Sequence, residues 1–293
     1  MAEDFSSWVG RSEEVIDVLE PLRSNALRAA LGNAAGDRAG DAAGDTADDS
    51  GPLKAGDAMP VLHHWLYFWN VLPAAALGAD GHPAKGGFLP PVPLPRRMWA
   101  GGRVSFIAPL LLGEQAAKLS TIKSVVAKSG KSGDLIFVTV EHRLSGSNGL
   151  AVIEEQDLVY KGETAPGAIS APAASGPGPT APWHAQVMPD PVLLFRYSAL
   201  TMNGHRIHYD LPYAQAVEAY PGLVVHGPLQ ATLLADLALR SLGKPLTSFD
   251  FRGQAPAFAG TLLDLCGEAS EGGGAFWTEQ SGAKNMVATA TAG

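Results

Sequence analysis

The clearest hydrophobic pattern in the chain lies between Pro228 and Leu242. The helical step is followed by Leu229, Leu233 and Leu237. The apolar stripe is widened by Leu234 and Ala238. A proline suits the first turn of a helix, and Gly243 suits the position just after its end. The pattern predicts one long amphipathic helix.

Other apolar segments read as strands rather than helices. They are rich in β-branched residues, and turns of glycine and serine separate them. The eight predicted strands are Arg103–Leu112, Ala117–Ser129, Asp134–Leu144, Ala151–Tyr160, Thr247–Gln254, Ala259–Gly267, Gly274–Gln280 and Ala283–Thr291. Four of them precede the amphipathic helix and four follow it.

The segment from Val61 to Leu72 is apolar and aromatic throughout, with Trp65, Tyr67, Phe68 and Trp69 at its centre. Periodicity alone does not decide between a buried helix and a strand here. Because the segment precedes four predicted strands, we interpret it as the central helix of an N-terminal half. One long helix followed by an antiparallel meander, twice over, predicts an α+β fold in which a curved sheet wraps each helix.

Composition divides the chain. The 34 glycines and 22 prolines concentrate in two low-complexity segments, Asn33 to Gly51 and Glu163 to Ala185. The first lacks large apolar side chains and predicts a mobile acidic insertion, and the second predicts an extended linker. The predicted domains are therefore an N-terminal half (1–162, with the insertion at 33–51), a linker (163–185) and a C-terminal half (186–293), which carries the catalytic residues.

The overall charge is acidic, with a formal net charge of −8 at pH 7. That balance argues against nucleic acid as a partner. The single cysteine, Cys266, excludes an internal disulfide and a cysteine-based zinc site, and its apolar surroundings predict an inert thiol. The polar N-terminus and the lack of a membrane-length apolar run lead us to expect no membrane association and a cytoplasmic location.

Two nearby segments carry the candidate chemistry. Asn203 to Asp210 reads NGHRIHYD, and His226-Gly227-Pro228 opens the amphipathic helix. A helix N-terminus presents unpaired backbone N–H groups and partial positive charge, which together suit an anion or a developing oxyanion. Asn203-Gly204 is also a common hairpin signal, so a plain turn is the alternative for that pair.

These segments resemble the MaoC-like, (R)-specific enoyl-thioester hydratases and dehydratases. That family has a polar residue, four intervening residues and a histidine, followed by an acid two residues later, and a His-Gly pair opens its central helix. The segment GGFLPPVPLPRRMWAGG (86–102) is similar to the double-hotdog members, notably the 3-methylfumaryl-CoA (mesaconyl-CoA) hydratases. The resemblance implies a double hotdog fold, meaning two long helices, each wrapped by an antiparallel sheet.

The resemblance also implies a mechanism. His208 takes a proton from a water that Asn203 orients, the water adds to the β-carbon of an enoyl thioester, and the Gly227 N–H stabilises the oxyanion. Many relatives have aspartate where this chain has Asn203, and an amide cannot act as the base. The substrate expected is a short branched dicarboxylyl-CoA such as mesaconyl-CoA. No metal or other cofactor is expected, because coenzyme A belongs to the substrate.

Further residues are candidates for substrate binding, each with a structural alternative. Arg96, Arg97 and Trp99 suit the phosphates and adenine of coenzyme A, or else form a solvated basic pair beside a core tryptophan. Arg196 or Arg206 suits a substrate carboxylate, but Arg206 equally suits an ion pair with Asp210. Tyr209 and His226 complete the candidate set, His226 in a supporting role. His205 is expected to face solvent or pack within its loop.

Three alternative functions remain at this stage. They are a carrier-linked or fatty-acid 3-hydroxyacyl-thioester dehydratase, a hotdog thioesterase, and a non-catalytic acyl-binding subunit. A thioesterase would need a carboxylate on the central helix, where Asp236 is the one candidate. The N-terminal half lacks its own Asn/His motif, so we expect one site per chain, between the halves. A homodimer is a possible assembly.

Overall fold

The computed structural model describes residues 5–32, 51–130, 133–163 and 179–293, and the segment predicted as a mobile insertion (33–51) falls almost entirely outside them. Ten strands and four α-helices make up the fold. The strands are β1 (Ser12–Val18), β2 (Arg96–Phe106), β3 (Gln115–Gly130), β4 (Gly133–Gly146), β5 (Gly149–Lys161), β6 (Trp183–Val187), β7 (Leu246–Gly253), β8 (Leu263–Ser270), β9 (Gly273–Gln280) and β10 (Ala283–Ala292). The helices are α1 (Pro21–Ala30), α2 (Pro191–Leu200), α3 (Leu211–Ala216) and α4 (Gly227–Leu242).

All ten strands form one antiparallel sheet in the order β1-β3-β4-β5-β2-β7-β10-β9-β8-β6. The order reads as two copies of one pattern placed back to back, because β1 to β5 take the same relative positions as β6 to β10. A helix follows the outer strand in both copies, α1 after β1 and α2 after β6. The α+β double hotdog predicted from the sequence is confirmed.

The two halves meet where β2 pairs with β7, from Gly101 opposite Arg252 to Ser105 opposite Ser248. Gly101 is required at this junction, since a Cβ atom there would lie 2.5 Å from the carbonyl oxygen of Phe251. The close approach of the two backbones makes one continuous sheet out of the two halves. A loop from one half can therefore reach the site of the other.

Helix α4 agrees with its sequence pattern. Its leucine stripe is buried against the sheet of the C-terminal half, with Leu229, Leu233, Leu234 and Leu237 all within the main core. Gly243 ends the helix in the left-handed conformation (φ 64°), and its N–H donates to the Leu239 carbonyl. The helix N-terminus is thereby fixed against the sheet.

The prediction of a second long helix at Val61 to Leu72 is wrong. This segment is buried as predicted, but it forms only a four-residue 3₁₀-helix, His63–Leu66, between left-handed residues Leu62 and Phe68. The buried carboxylate of Glu154 accepts hydrogen bonds from His64 Nε2 (2.9 Å) and Trp65 Nε1 (3.0 Å). These polar contacts hold an irregular segment where the C-terminal half has α4.

Some boundaries also differ from prediction. Strand β2 begins at Arg96 and ends at Phe106, since Pro109 beyond it has no N–H to donate to a sheet. Strand β6 begins inside the predicted linker, and residues 164–178 of that linker fall outside the described part. Strand β1 and helices α1 to α3 were not predicted, because they are short and follow no strong period.

Cys266 lies fully buried on β8, and burial raises the pKa of its thiol to about 12. Both properties agree with the expectation of an inert thiol. Within the described residues, none of the helices has the length and apolar character needed to cross a lipid bilayer.

Candidate active site

The segment with the Asn/His motif forms a short connection between α2 and α3. A single 3₁₀ turn, Arg206–His208, occupies its middle, and Asp210 caps α3 by accepting a hydrogen bond from the Tyr213 N–H (3.1 Å). The turn directs the His208 side chain inward, toward the N-terminus of α4. It directs Tyr209 outward.

His208 is held in one tautomer. Its Nδ1 lies 2.7 Å from the carbonyl oxygen of Val224. A carbonyl oxygen only accepts, so Nδ1 carries the proton, and Nε2 of the neutral ring carries a lone pair. The side chain is 6% exposed, and burial lowers its pKa to about 4, partly offset by the Val224 hydrogen bond. His208 is therefore a neutral ring whose free nitrogen can accept a proton.

The His226 ring packs against the His208 ring. The two rings stack with their centroids 3.6 Å apart, and His226 Nε2 lies 2.8 Å from the hydroxyl oxygen of Ser198 on α2. His226 is fully buried and has no exposed face for a substrate. Its contacts give it the supporting role predicted and do not favour direct substrate binding.

Gly227 directly follows His226 and is the first residue of α4. Its N–H has no acceptor among the residues described, as expected for the first turn of a helix. A Cβ atom at this position would meet only Met286 Cε, at 3.9 Å. The surroundings of the Gly227 Cα atom are therefore uncrowded.

Asn203 has a more local partner than predicted. Its Oδ1 accepts a hydrogen bond from the backbone N–H of His205 (3.0 Å), so the side chain closes a small turn within its own loop. The prediction that Asn203 orients the reacting water stays untested. The observed contact makes it a residue that shapes the backbone around His205.

His205 is buried, with 8% of its surface exposed, so of the two alternatives expected for it the structure excludes the solvent-facing one and agrees with packing within the loop. Its ring lies between two others, with centroids 4.2 Å from His82 and 5.5 Å from His208. We call His82, His205, His208 and His226 the histidine cluster. It runs from the loop of the N-terminal half to the first turn of α4.

His82 comes from the N-terminal half and is paired with Asp80. Nδ1 of His82 donates to Asp80 Oδ2 (2.9 Å), and the His82 backbone N–H donates to Asp80 Oδ1 (3.0 Å). Burial raises the pKa of Asp80, but the hydrogen bonds and positive charge from His82 outweigh it and bring the pKa below its ordinary value. Asp80 is thus ionised and fixes the orientation of the His82 ring.

The loop that carries this pair is pressed against the loop of the Asn/His motif. The backbone N–H of Arg206 donates to the Asp80 carbonyl oxygen (2.9 Å). Gly81 has a positive φ of 88°, and a Cβ there would lie 1.9 Å from the carbonyl oxygen of Gly204. Only glycine allows this approach, so the two halves meet at the site as predicted.

One set of residues in the described part has metal-ligand chemistry. A carboxylate oxygen of Asp80 and ring nitrogens of His82 and His205 lie within 4.8 Å of one another. The positive charge of Arg97 lowers the pKa of both histidines, although burial is the larger cause. Burial and Arg97 keep both rings neutral, while the Asp80 carboxylate acts in the opposite direction on both.

Arg97 also lines a cavity of about 470 Å³ at the junction of the two halves, together with Lys85 and Asp80. Within the described residues, no carboxylate forms an ion pair with Arg97. The cavity has the size of a small-molecule site, and its lining combines three basic residues (Lys85, Arg96, Arg97) with three acidic ones (Asp80, Glu163, Glu218). Its position agrees with the predicted role of Arg97 in binding an anionic substrate group.

Arg96 and Trp99 have structural contacts instead. Arg96 is buried, forms an ion pair with Glu218 and lies over the Tyr220 ring. Trp99 packs edge-on against Trp65, with centroids 5.0 Å apart. Its Nε1 donates to the Gly101 carbonyl. These contacts favour the structural alternative for both residues over a contact with coenzyme A.

The other candidate binding residues lie at the periphery. Arg206 binds Asp210 Oδ2 (2.7 Å) and the Ala79 carbonyl (3.1 Å), so the ion-pair alternative is confirmed. Arg196 is exposed on the outer face of α2. Tyr209 is 46% exposed, and its hydroxyl donates to the Gly204 carbonyl. None of the three points into the histidine cluster, so a substrate role for them is unsupported by this geometry.

A family model described as hydroxyacyl-thioester dehydratase type 2 matches residues 62–259. The chain belongs to this family. The match spans the loop with Asp80 and His82, the Asn/His motif and the whole of α4. The chain is thus a hydro-lyase of the hydratase/dehydratase family, as the resemblance of its motifs implies.

A named relative agrees with this membership, and two solved structures share the fold. The mesaconyl-C(4)-CoA hydratase of Chloroflexus aurantiacus is 45% identical over 255 residues, which cover 87% of this chain and 85% of that protein. A MaoC-like dehydratase structure superposes with a TM-score of 0.67 at 14% identity, covering 99% of both chains. A Mycobacterium tuberculosis protein with a double hotdog fold gives 0.53 at 15% identity over 97% of this chain and 96% of that one.

Sequence reasoning predicted a site between the halves, but it missed Asp80 and His82 as residues that the N-terminal half contributes. Asp80 and His82 lie in the turn Gly78-Ala79-Asp80-Gly81-His82. The acid and the histidine are two positions apart, with a glycine between them and another two positions before the acid. That spacing was a usable signal, since the chain has only eight histidines. The sequence did not indicate that this turn would contact the loop of the Asn/His motif, which lies some 120 residues later.

Acid should destabilise the protein through its buried histidines. Burial lowers the pKa of His208 to about 4, of His63 to about 3 and of His205 to about 2, and it lowers that of His226 as well. The unfolded chain therefore binds protons below pH 6.5 that the folded chain does not. We expect the free energy of unfolding to fall by about 4 kcal/mol from pH 7 to pH 5.5, measured by urea denaturation.

The His208→Asn variant is the matched control for this measurement. It removes one of the rings whose pKa is lowered by burial, so its loss of stability over the same pH range should be smaller by about 1 kcal/mol. A free energy of unfolding that does not change between pH 7 and pH 5.5 would contradict the burial of these rings as neutral groups.

Proposed function

We propose that the chain hydrates the double bond of a short branched dicarboxylyl-CoA such as mesaconyl-CoA, and catalyses the reverse dehydration. The observation that carries this proposal is the hydrogen bond from His208 Nδ1 to Val224, which leaves Nε2 free beside the helix N-terminus at Gly227. A base and an oxyanion donor in adjacent positions are what addition of water to an enoyl thioester requires.

The reaction proceeds in two steps at these groups. His208 Nε2 takes one proton from water as the water oxygen bonds to the β-carbon, and the π electrons move through the α-carbon onto the thioester oxygen. The Gly227 N–H stabilises that oxyanion. The electron pair then returns to the α-carbon, which takes the proton from the His208 imidazolium, so that one water has been added. Only groups of the chain and the substrate take part.

Two basic residues at the site support an anionic substrate, although three acidic residues line the same cavity. Arg97 and Lys85 line the cavity next to Asp80, and they offer positive charge to a phosphate of coenzyme A or to a free carboxylate of the acyl chain. The relative named mesaconyl-C(4)-CoA hydratase supports the dicarboxylyl class in particular. A dehydratase of 3-hydroxyacyl thioesters is the second candidate, supported by the family model.

The geometry does not support a thioesterase. Asp236 is the only acidic residue of α4, and it forms an ion pair with Arg240 one turn further along, at a distance of 3.3 Å. It lies on the third turn of the helix, away from Gly227 at the first. A carboxylate so placed and paired is not available as a base or nucleophile at the helix N-terminus.

A panel of acyl-CoA thioesters tests the proposal. We expect mesaconyl-CoA to lose its conjugated thioester absorbance on adding enzyme, with a kcat/KM at least 10-fold above that of 3-methylcrotonyl-CoA, which lacks the second carboxylate; one charged contact is worth roughly that factor. Release of free thiol without hydration would instead identify a thioesterase. Binding of every thioester without turnover would identify an acyl-binding subunit.

A further inference from the structure

His205 is a buried imidazole whose two ring nitrogens have no hydrogen-bond partner among the residues described, although its backbone N–H binds Asn203. Neither nitrogen is among the fully buried side-chain atoms that lack a partner, so both remain accessible to solvent and a water molecule can bind there. The ring stands edge-on to His208, with centroids 5.5 Å apart. The molecule it binds therefore lies close to the base.

The reacting water needs a second partner at this place. One of its O–H bonds points to His208 Nε2, and the other must be held so that an oxygen lone pair faces the β-carbon. The Asn203 amide oxygen, the residue implied for this task by the motif, is engaged with the His205 N–H. The His205 ring, which stands edge-on to His208, offers a nitrogen acceptor that no described residue occupies.

We propose that His205 is a further catalytic residue: one of its ring nitrogens accepts the second O–H of the reacting water while His208 accepts the first. The proposal rests on the hydration reaction proposed above. No bond breaks at His205, since it holds the water by a hydrogen bond and the proton that is transferred goes to His208. A neutral imidazole suits this task, and burial lowers the His205 pKa to about 2.

The Asp80–His82 pair positions His205. Asp80 fixes the His82 ring through Nδ1, and that ring lies against His205 with centroids 4.2 Å apart and planes tilted by 41°. The loop is anchored at the Gly81–Gly204 contact, so it cannot move without moving the backbone before His205. The N-terminal half thereby contributes two positioning residues to the site of the C-terminal half.

Substitution of His205 by phenylalanine tests the water-holding role. Phenylalanine keeps a planar ring against His82 but has no nitrogen, so we expect kcat for the hydration of mesaconyl-CoA to fall 10- to 100-fold. KM should change less than threefold, and the thermal midpoint should stay within a few degrees of wild type. His184→Phe is the matched control, because His184 is partly exposed, binds Asp264 and lies on β6, outside the cluster. Its kcat should remain at the wild-type value.

Two further variants make the result decisive. His205→Gln restores an acceptor and should recover part of the lost kcat, and it serves as the test protein if His205→Phe does not fold. Asp80→Asn should lower kcat in the wild-type background but add nothing to His205→Phe, because a positioning residue acts only through the residue it positions.

The outcomes separate the two proposals. A wild-type chain that hydrates no enoyl-CoA overturns the proposed function. An active wild type with a folded His205→Phe variant of equal kcat overturns only the role of His205, as does a folded His205→Gln variant that is no better than His205→Phe. Turnover that is lost on chelation and restored by Zn²⁺ also overturns it, because His205 would then be a metal ligand beside Asp80 and His82.

Discussion

Replacing His208 with asparagine should lower kcat/KM for enoyl-CoA hydration by about 10²–10⁴-fold, the usual loss when a positioned general base is removed. The asparagine amide nitrogen occupies nearly the same position as Nδ1, so it can still donate to the Val224 carbonyl. What the variant loses is Nε2, the nitrogen that accepts the proton. Initial rates of absorbance loss from the conjugated thioester measure the effect.

Two controls accompany this variant. His184→Asn removes a histidine that pairs with Asp264 far from the cluster and should leave kcat/KM unchanged. The thermal midpoint of His208→Asn should fall by only a few degrees, because the stacking on His226 is lost while the core of α4 is untouched. Turnover near the wild-type rate in a folded His208→Asn variant would rule out His208 as the base.

The pH dependence of activity follows from the same residue. Burial lowers the pKa of His208 to about 4, so the base is neutral from mildly acidic to alkaline solution. We therefore expect kcat/KM to decrease in acid only at a pH well below the ordinary histidine pKa. The low pKa also makes His208 a weak base, which increases the importance of the oxyanion donor at Gly227 and of a well-held water.

The sequence predicted most of the sheet because its strands alternate and are separated by glycine turns. Strand β10, predicted as Ala283–Thr291, is observed as Ala283–Ala292. Helix α4 was predicted to within one residue, because a strong 3.6-residue hydrophobic period is typical of an α-helix. The segment around Trp65 has no such period, and its conformation depends on Glu154, which lies some 90 residues away.

The part of the site that belongs to local sequence motifs could be predicted. His208 and Gly227 belong to local motifs, and the structure brings them together through the stacked ring of His226. Asp80 and His82 reach the site only because β2 pairs with β7 and makes one sheet of the two halves. One site per chain remains our expectation. The position that corresponds to α4 in the N-terminal half holds an irregular segment with no helix N-terminus to stabilise an oxyanion.

Gly227 is expected to have the second large effect, and two substitutions separate its two properties. Gly227→Ala keeps the N–H and adds a Cβ, which the protein itself accommodates, since the nearest described atom, Met286 Cε, is 3.9 Å away. Gly227→Pro adds similar bulk but removes the N–H, and proline is tolerated in the first turn of a helix. Both place a substituted residue before Pro228 and so meet the same local backbone restriction.

The alanine variant is therefore the control for the proline variant. We expect Gly227→Ala to lower kcat/KM modestly, because the Cβ occupies the space through which the thioester oxygen approaches. Gly227→Pro should lower kcat/KM by a further factor of about 10²–10³, the usual loss for one oxyanion donor, while KM changes little. Equal kcat/KM in the two folded variants would show that the N–H of Gly227 does not stabilise the oxyanion. The donor would then have to be the next free N–H of the first turn of α4, that of Leu229, because Pro228 has none.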